Sequence, residues 1–324
     1  FYYLIPTTSS FVESTAEAMP ATATPITIDS DGDNGVVAWM DGTTMKVSTQ
    51  TKGLKVQANP DSNDMFYGKA KLNNIDLTLL DTQNVTDMGS MFRSCSSLTT
   101  LDLTPLNTRN VTNMSSMFFG CSGLTNLDLT PLNTHKVSNM SDMFCNCNKL
   151  TTLDLTPLST SNVTNMNGMF ENCRGLTSLD LTPLDTRNVT DMNSMFSGCS
   201  GLSSLDLSPL NTSKVTNMSN MFRNCSGLTD LDLTPLDMQN VTNISYIFFQ
   251  CDKLTALNLS SLDTRGVTNM SYMFYGCSKL INLSLGDKFT FVGSDYDLPK
   301  GTWYASDGTT CTIPNNKSDT YTRR

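Results

Sequence analysis

The chain has 324 residues, 21 basic and 30 acidic, for a formal net charge of −9. That balance argues against a nucleic-acid backbone as partner, which needs clustered Lys and Arg. Length alone would allow two ordinary domains, but a repeat overrides that prior.

Residues 1–35 are rich in Thr, Ser, Ala and Pro and show no apolar period, so they read as a flexible stalk. The opening FYYLIP is apolar but far too short to span a membrane. Within the stalk, Asp29, Asp31 and Asp33 alternate with Ser30 and Gly32 in the manner of a calcium loop. Met40 stands at the twelfth position instead of Glu, so no EF-hand is complete. Calcium and a plain polar linker both remain open there, and no other cofactor is indicated. Residues 36–71 read as an N-terminal cap. Short β-prone runs flank Asp41-Gly42, a hairpin signal, and Met65-Phe66-Tyr67-Gly68 begins a degenerate half repeat.

From Leu72 to Lys279 run eight 26-residue repeats without insertion. A fixed period of this size marks a solenoid, whose units bury their apolar faces against neighbours. In residues 98–123, Leu98, Leu101, Leu103 and Leu106 form the L-x-x-L-x-L frame of a leucine-rich repeat. Leu101 and Leu103 are expected inward on a short strand, with Asp102 outward, and Pro105 should end the strand. Asn110, or Gly266 in the same column, suggests a left-handed bend. Met114, Met117, Phe118 and Cys121 fall at i, i+3, i+4 and i+7, one face of a helix of about two turns, with Thr112 placed to cap it. The expected fold is therefore an α/β solenoid: a right-handed leucine-rich-repeat coil of strand–bend–short helix units. Its parallel sheet, roughly 40 Å long for eight strands, should line the concave face. Residues 280–324 read as a β-rich C-terminal cap.

The repeat units LDLTPLNT, NVTNMSSMF and GCSGL resemble the BspA-like leucine-rich-repeat surface proteins, and most closely their 26-residue subtype, once catalogued as a mycoplasma domain of unknown function. The resemblance covers residues 59–285. It implies a secreted or surface-anchored protein associated with adhesion to extracellular-matrix proteins and other bacteria. It assigns no residue a role, because the shared motif is a packing motif. Many relatives carry Trp or Phe where this chain has Leu106 and Leu132.

Columns that hold one residue type in nearly every repeat read as scaffold. Fourteen of the 19 methionines fill two of them, and Ile244 and Ile247 replace both in one repeat, which favours core packing over a metal-binding thioether row. Eight of the ten cysteines form another column. In-register neighbours suit S–S geometry poorly, so buried free thiols are expected; Cys145, beside the column, is expected to face outward as a reactive or merely tolerated thiol. Candidate ligand-binding residues are those facing out. Asp102, Asp128, Asp154, Asp180, Asp206 and Asp232 form a carboxylate column that needs compensation. Hydrogen bonds from flanking threonines together with solvation would supply it, as would a cationic partner or divalent ions bound on the concave face. Tyr246, Phe249, Tyr272 and Tyr275 form an aromatic cluster in the last two repeats, open to a protein or sugar ligand unless the C-terminal cap covers it.

The expected function is a non-enzymatic, extracellular adhesion or interaction scaffold binding a protein or glycoprotein ligand. The alternative is an inert spacer that holds another domain away from the cell surface. One histidine, three glutamates and no loop insertion leave no differentiated acid, base and nucleophile.

Overall fold

The computed structural model describes residues 11–26, 36–311 and 317–324. Asp29, Asp31 and Asp33 lie outside the described residues. Each repeat forms one turn of a solenoid, and its invariant positions face a continuous interior. Leu98, Val111, Met114, Met117, Phe118 and Cys121 are completely buried, as are most of their counterparts. The phenylalanines stack along the whole length, from Phe66–Phe92 at 5.4 Å to Phe248–Phe274 at 6.2 Å between ring centroids.

The short helix is not there. The described residues contain no helix at all, although the apolar face that predicts one is buried as expected. The reason lies in two left-handed residues per repeat, four positions apart: Ser116 (φ 54°) and Gly120 (φ 70°), with counterparts at 90/94, 142/146, 168/172, 194/198, 220/224, 246/250 and 272/276. Each left-handed residue redirects the chain, so backbone N–H groups alternate between two jobs. Met114, Ser116, Phe118 and Gly120 donate to Asn139, Ser141, Met143 and Cys145 of the next repeat. Met117, Phe119 and Cys121 donate three residues back, to Met114, Ser116 and Phe118. An α-helix would take all of these donors into its own i→i−4 bonds; here half of them cross-link neighbouring units.

The expected sheet is displaced for a related reason. Parallel pairing between repeats runs as single bridges through the Asn113 column, from Asp61↔Asp87 to Asn243↔Asn269. Along the L-x-L segments, pairing between repeats among the described residues is confined to the C-terminal end, where a single bridge joins Asp232 to Asn258 and β7 (Ala256–Leu259) lies parallel to β8 (Asn282–Leu285). Upstream, Pro105 and its counterparts have no N–H to give, whereas Ser261 stands in that column after β7. The left-handed bend expected at Asn110 is also absent; Asn110 keeps a negative φ and its Nδ2 donates to Gln83 O. Thr112 caps no helix; its hydroxyl donates to Thr86 O in the preceding repeat.

Side chains complete the stitching. Buried Thr108 donates to Asn133 O at 3.0 Å and accepts the Asn133 N–H at 2.7 Å, and the column repeats this from Thr82 to Thr212 and again at Thr264. Asn113 accepts the Ser115 N–H, as its counterparts do in each repeat. The column cysteines are free, buried thiols that donate to a carbonyl of the preceding repeat, as Cys121 does to Phe92 O at 3.0 Å. Burial pushes the Cys95, Cys147 and Cys199 thiols up to about 12. In the native chain, a thiol reagent should therefore label Cys311, the half-buried cysteine, and spare the column cysteines until denaturant is added. Rapid labelling of several column cysteines in native buffer would contradict this packing.

Both ends are capped by sheets. The hairpin of β2 (Val37–Asp41) and β3 (Thr44–Ser48) forms around Gly42 (φ 59°). β1 (Phe11–Thr15), inside the segment read as a stalk, pairs parallel to β3 and to β5 (Asn74–Ile75), which ties it to the first repeat. β4 (Val56–Gln57) pairs with β6 (Leu80–Asp81). At the other end, β9 (Trp303–Tyr304), β10 (Thr310–Cys311) and β11 (Asp319–Arg323) extend the β7–β8 pair into a five-stranded sheet, with β11 against β8. No helix among the described residues is long and apolar enough to cross a membrane.

Candidate ligand-binding face

Two variable columns stand side by side on the outside of the turn ladder, at positions 116 and 119 and their equivalents. In the last two repeats they hold Tyr246, Phe249, Tyr272 and Tyr275, and the structure brings all four together. Tyr246 stacks on Tyr272 at 5.0 Å and Phe249 on Tyr275 at 4.9 Å, while Tyr272 meets Tyr275 edge-on at 6.5 Å. Beneath this quartet the Arg223 guanidinium lies 4.9 Å from the Phe249 ring and 5.6 Å from Tyr246, a cation–π arrangement. Its Nε is buried without a hydrogen-bond partner.

The C-terminal cap does not cover the cluster. Tyr272 and Phe274 donate backbone N–H bonds to Asp295 and Tyr296, which continues the ladder by one more rung. The side chains stay outside it, with Tyr272 39% and Tyr275 48% exposed. Tyr246 and Tyr272 also occupy left-handed backbone, φ 60° and 57°. In the same column other repeats place Ser, Asp, Asn or Gly, residues that adopt this conformation at small cost. A bulky aromatic there costs on the order of 1–3 kcal/mol. These two tyrosines therefore stand where backbone energetics disfavour them, and Tyr272 stays 39% exposed there.

The carboxylate column is exposed, as expected, and its compensation is local. Oδ1 of Asp102 accepts the Thr104 N–H at 2.9 Å, and Asp128, Asp154, Asp180, Asp206 and Asp232 do the same two residues on. The hydroxyl and backbone N–H of Thr104 hold Asp102 below the usual carboxylate value of 3.8, and the N–H and hydroxyl of Thr156, Ser208 and Thr234 do the same for Asp154, Asp206 and Asp232. The Arg265 guanidinium bonded to Asp263 takes that carboxyl down to about 2. A carboxylate whose pKa falls on folding binds fewer protons in the native chain than in the unfolded one. Its stabilisation is present above the unfolded pKa and is lost as pH falls through the folded pKa. The melting temperature should thus be level from pH 7 to about pH 5 and drop between pH 4 and pH 2. A midpoint that rises in that acid window would contradict the assignment.

Cys145 does not face outward; it is 3% exposed. Its ligand atom lies within 4.8 Å of those of Asp142 and Glu171, a grouping that no sequence spacing indicated. Burial raises the carboxyl pKa of both acids, and the neighbouring Asp142 charge raises Glu171 further. Arg93 sits nearby with its guanidinium 4.1 Å from the Phe119 ring. The variable face therefore reads, along its length, as an arginine–aromatic stack, an acid–thiol group, and a second arginine–aromatic stack.

A family model described as Mycoplasma protein of unknown function, DUF285, matches residues 60–179, 147–254 and 169–288. The chain belongs to this DUF285 family. The matches take in the entire variable face, from Asp64 to Tyr275, so the DUF285 repeat is the unit that carries it. No curated protein matches the chain. Among solved structures, the chain is similar to a leucine-rich repeat protein of T. pallidum at 20% identity, covering 55% of this chain and 72% of that one with a TM-score of 0.36. It is similar to a leucine-rich repeat protein of Eubacterium ventriosum at 15% identity, covering 66% and 72%, with a TM-score of 0.33. A leucine rich cell surface protein of Faecalibacterium prausnitzii matches at 16% identity over 85% and 87%, with a TM-score of 0.30.

Proposed function

We propose that the chain is an extracellular, non-enzymatic interaction scaffold that binds a protein or glycoprotein through the aromatic end of its variable face. One observation carries the reading: four clustered aromatic side chains, two of them on left-handed backbone, with Tyr272 and Tyr275 open to solvent beside the C-terminal cap. Exposed aromatics on a rigid support are the residue types that dominate binding energy, and the hydrogen-bonded ladder beneath holds them in place before a ligand arrives. The carboxylate column is assigned to turn formation instead, since each Oδ1 is already used by its own chain. Copies of one carboxylate in one environment also supply no acid and base of different pKa, which favours binding over catalysis.

The test is saturable binding of the full chain to immobilised extracellular-matrix glycoproteins. The spacer alternative predicts no saturable binding to any of them. The interaction reading predicts binding that Tyr275→Ser weakens at least tenfold with an unchanged melting temperature.

A further inference from the structure

Between the two arginine–aromatic stacks, three departures from the repeat pattern meet. Asp142 and Cys145 come from one repeat and Glu171 from the next, and Glu171 is the one glutamate within the eight repeats. Their ligand atoms all lie within 4.8 Å of one another. Gly168 leaves room for the Asp142 carboxylate in its present position: a Cβ there would meet the Asp142 oxygen and force that side chain to move.

The group is also short of partners. The Cys145 thiol is 97% buried by the same measure that leaves it 3% exposed, and its S–H finds no acceptor among the described residues. Each column thiol, in contrast, gives its proton to a carbonyl. The one hydrogen bond at the Cys145 sulfur is received, from Asn146 Nδ2 at 3.3 Å, while burial and the Glu171 and Asp142 charges keep the proton on the sulfur. The half-buried carboxylates of Asp142 and Glu171 accept no hydrogen bond and have no cation within ion-pair distance among the described residues. Arg93 and Arg223 are the charges that face the group, and both guanidinia lie over aromatic rings. Neither arginine forms an ion pair with the two carboxylates, so no cation is bonded directly to the group among the described residues.

We propose that Asp142, Cys145 and Glu171 form a binding site for a single divalent transition-metal ion of the zinc class. One sulfur and two carboxylate oxygens match a borderline-soft ion, whereas calcium and magnesium take oxygen alone. Tetrahedral bonds of about 2.0–2.3 Å place neighbouring ligand atoms about 3.5 Å apart. Side-chain rotation must therefore draw the three atoms together by about an ångström. Three protein ligands leave a fourth position for water or for a donor group from outside. Binding displaces the Cys145 proton and gives both carboxylates the cation that they lack.

The experiment titrates the full chain, carrying Cys311→Ser to remove the more accessible thiol, with Co²⁺ and then Zn²⁺. The expected result is one equivalent of cobalt per chain with a thiolate-to-metal charge-transfer band, which zinc then displaces. Cys145→Ser abolishes the band, and Glu171→Gln and Gly168→Ser each weaken uptake at least tenfold. Zinc raises the melting temperature of the parent and not of Cys145→Ser, and the metal-free melts coincide, which separates loss of the site from loss of the fold. Absence of saturable uptake overturns the proposal, as does a charge-transfer band that survives in Cys145→Ser.

Discussion

Phe170→Ala should lower the unfolding free energy by about 3–5 kcal/mol, the usual cost of emptying a buried aromatic position. The Phe170 ring is fully buried and sits at 5.8 Å from Phe144 and 5.9 Å from Phe196, so the cavity removes a stacking partner on both sides. A solenoid adds a second consequence. Its stability is a sum of repeat terms and nearest-neighbour interfaces, so a defect at the middle weakens the coupling between the two halves. Urea unfolding of Phe170→Ala should show a lower midpoint and a smaller apparent m-value, as the halves begin to unfold separately. Phe66→Ala, with a phenylalanine neighbour on one side only, should move the midpoint and leave the slope nearly as it was. Equal slopes for parent, middle and end variants would show that the stack does not transmit cooperativity.

The second large effect is on binding. Tyr272→Asn replaces a strained aromatic by a residue that tolerates left-handed backbone, relieving roughly 1 kcal/mol or more. It also forfeits stacking on Tyr246 worth about 0.5–1.5 kcal/mol. The two nearly cancel, so the stability should stay within about 1 kcal/mol of the parent. Affinity for a glycoprotein ligand should fall at least tenfold, which is about 1.4 kcal/mol. A residue retained for structure would give the opposite pattern, a clear loss of stability with affinity intact.

Much of the architecture was legible in the sequence, and the errors have a common source. The buried columns at Leu98, Val111, Met114, Met117, Phe118 and Cys121 follow from periodicity, because burial leaves its mark on residue type. The hydrogen bonds do not. An i, i+3, i+4, i+7 apolar face fits a helix, and it fits equally a chain that turns back every fourth residue. The distinguishing signal was present in the columns at 116 and 120, which collect Ser, Asp, Asn and Gly: Gly68, Gly120, Gly198 and Gly276 share a column with Asn146, Asn172 and Asn224. The Asn-rich column at Asn110 suggests left-handed backbone equally well, yet there the exposed Asn serves as an inter-repeat donor. Spacing brought the aromatic quartet together correctly, since i and i+3 on adjacent units remain neighbours in either geometry. It misplaces Cys145, which is buried beside Asp142 and Glu171 of two adjacent repeats, and it gives no hint of the Arg223 and Arg93 stacks, which are contacts across repeats between unlike residues.

On the proposed function, binding resides in the aromatic departures and the regular carboxylate column is structural. The direct measurement is a pair of affinities for the same immobilised matrix glycoprotein, one for Tyr246→Asn/Tyr272→Asn and one for Asp128→Asn/Asp154→Asn, each in the full chain. Asparagine keeps the oxygen that accepts the Thr130 and Thr156 N–H groups, so the second variant removes charge and spares the turns. The account predicts at least a tenfold loss for the tyrosine pair and parent affinity for the aspartate pair. Parent affinity in the tyrosine variant together with a tenfold loss in the aspartate variant would contradict it and move the binding face to the carboxylate column.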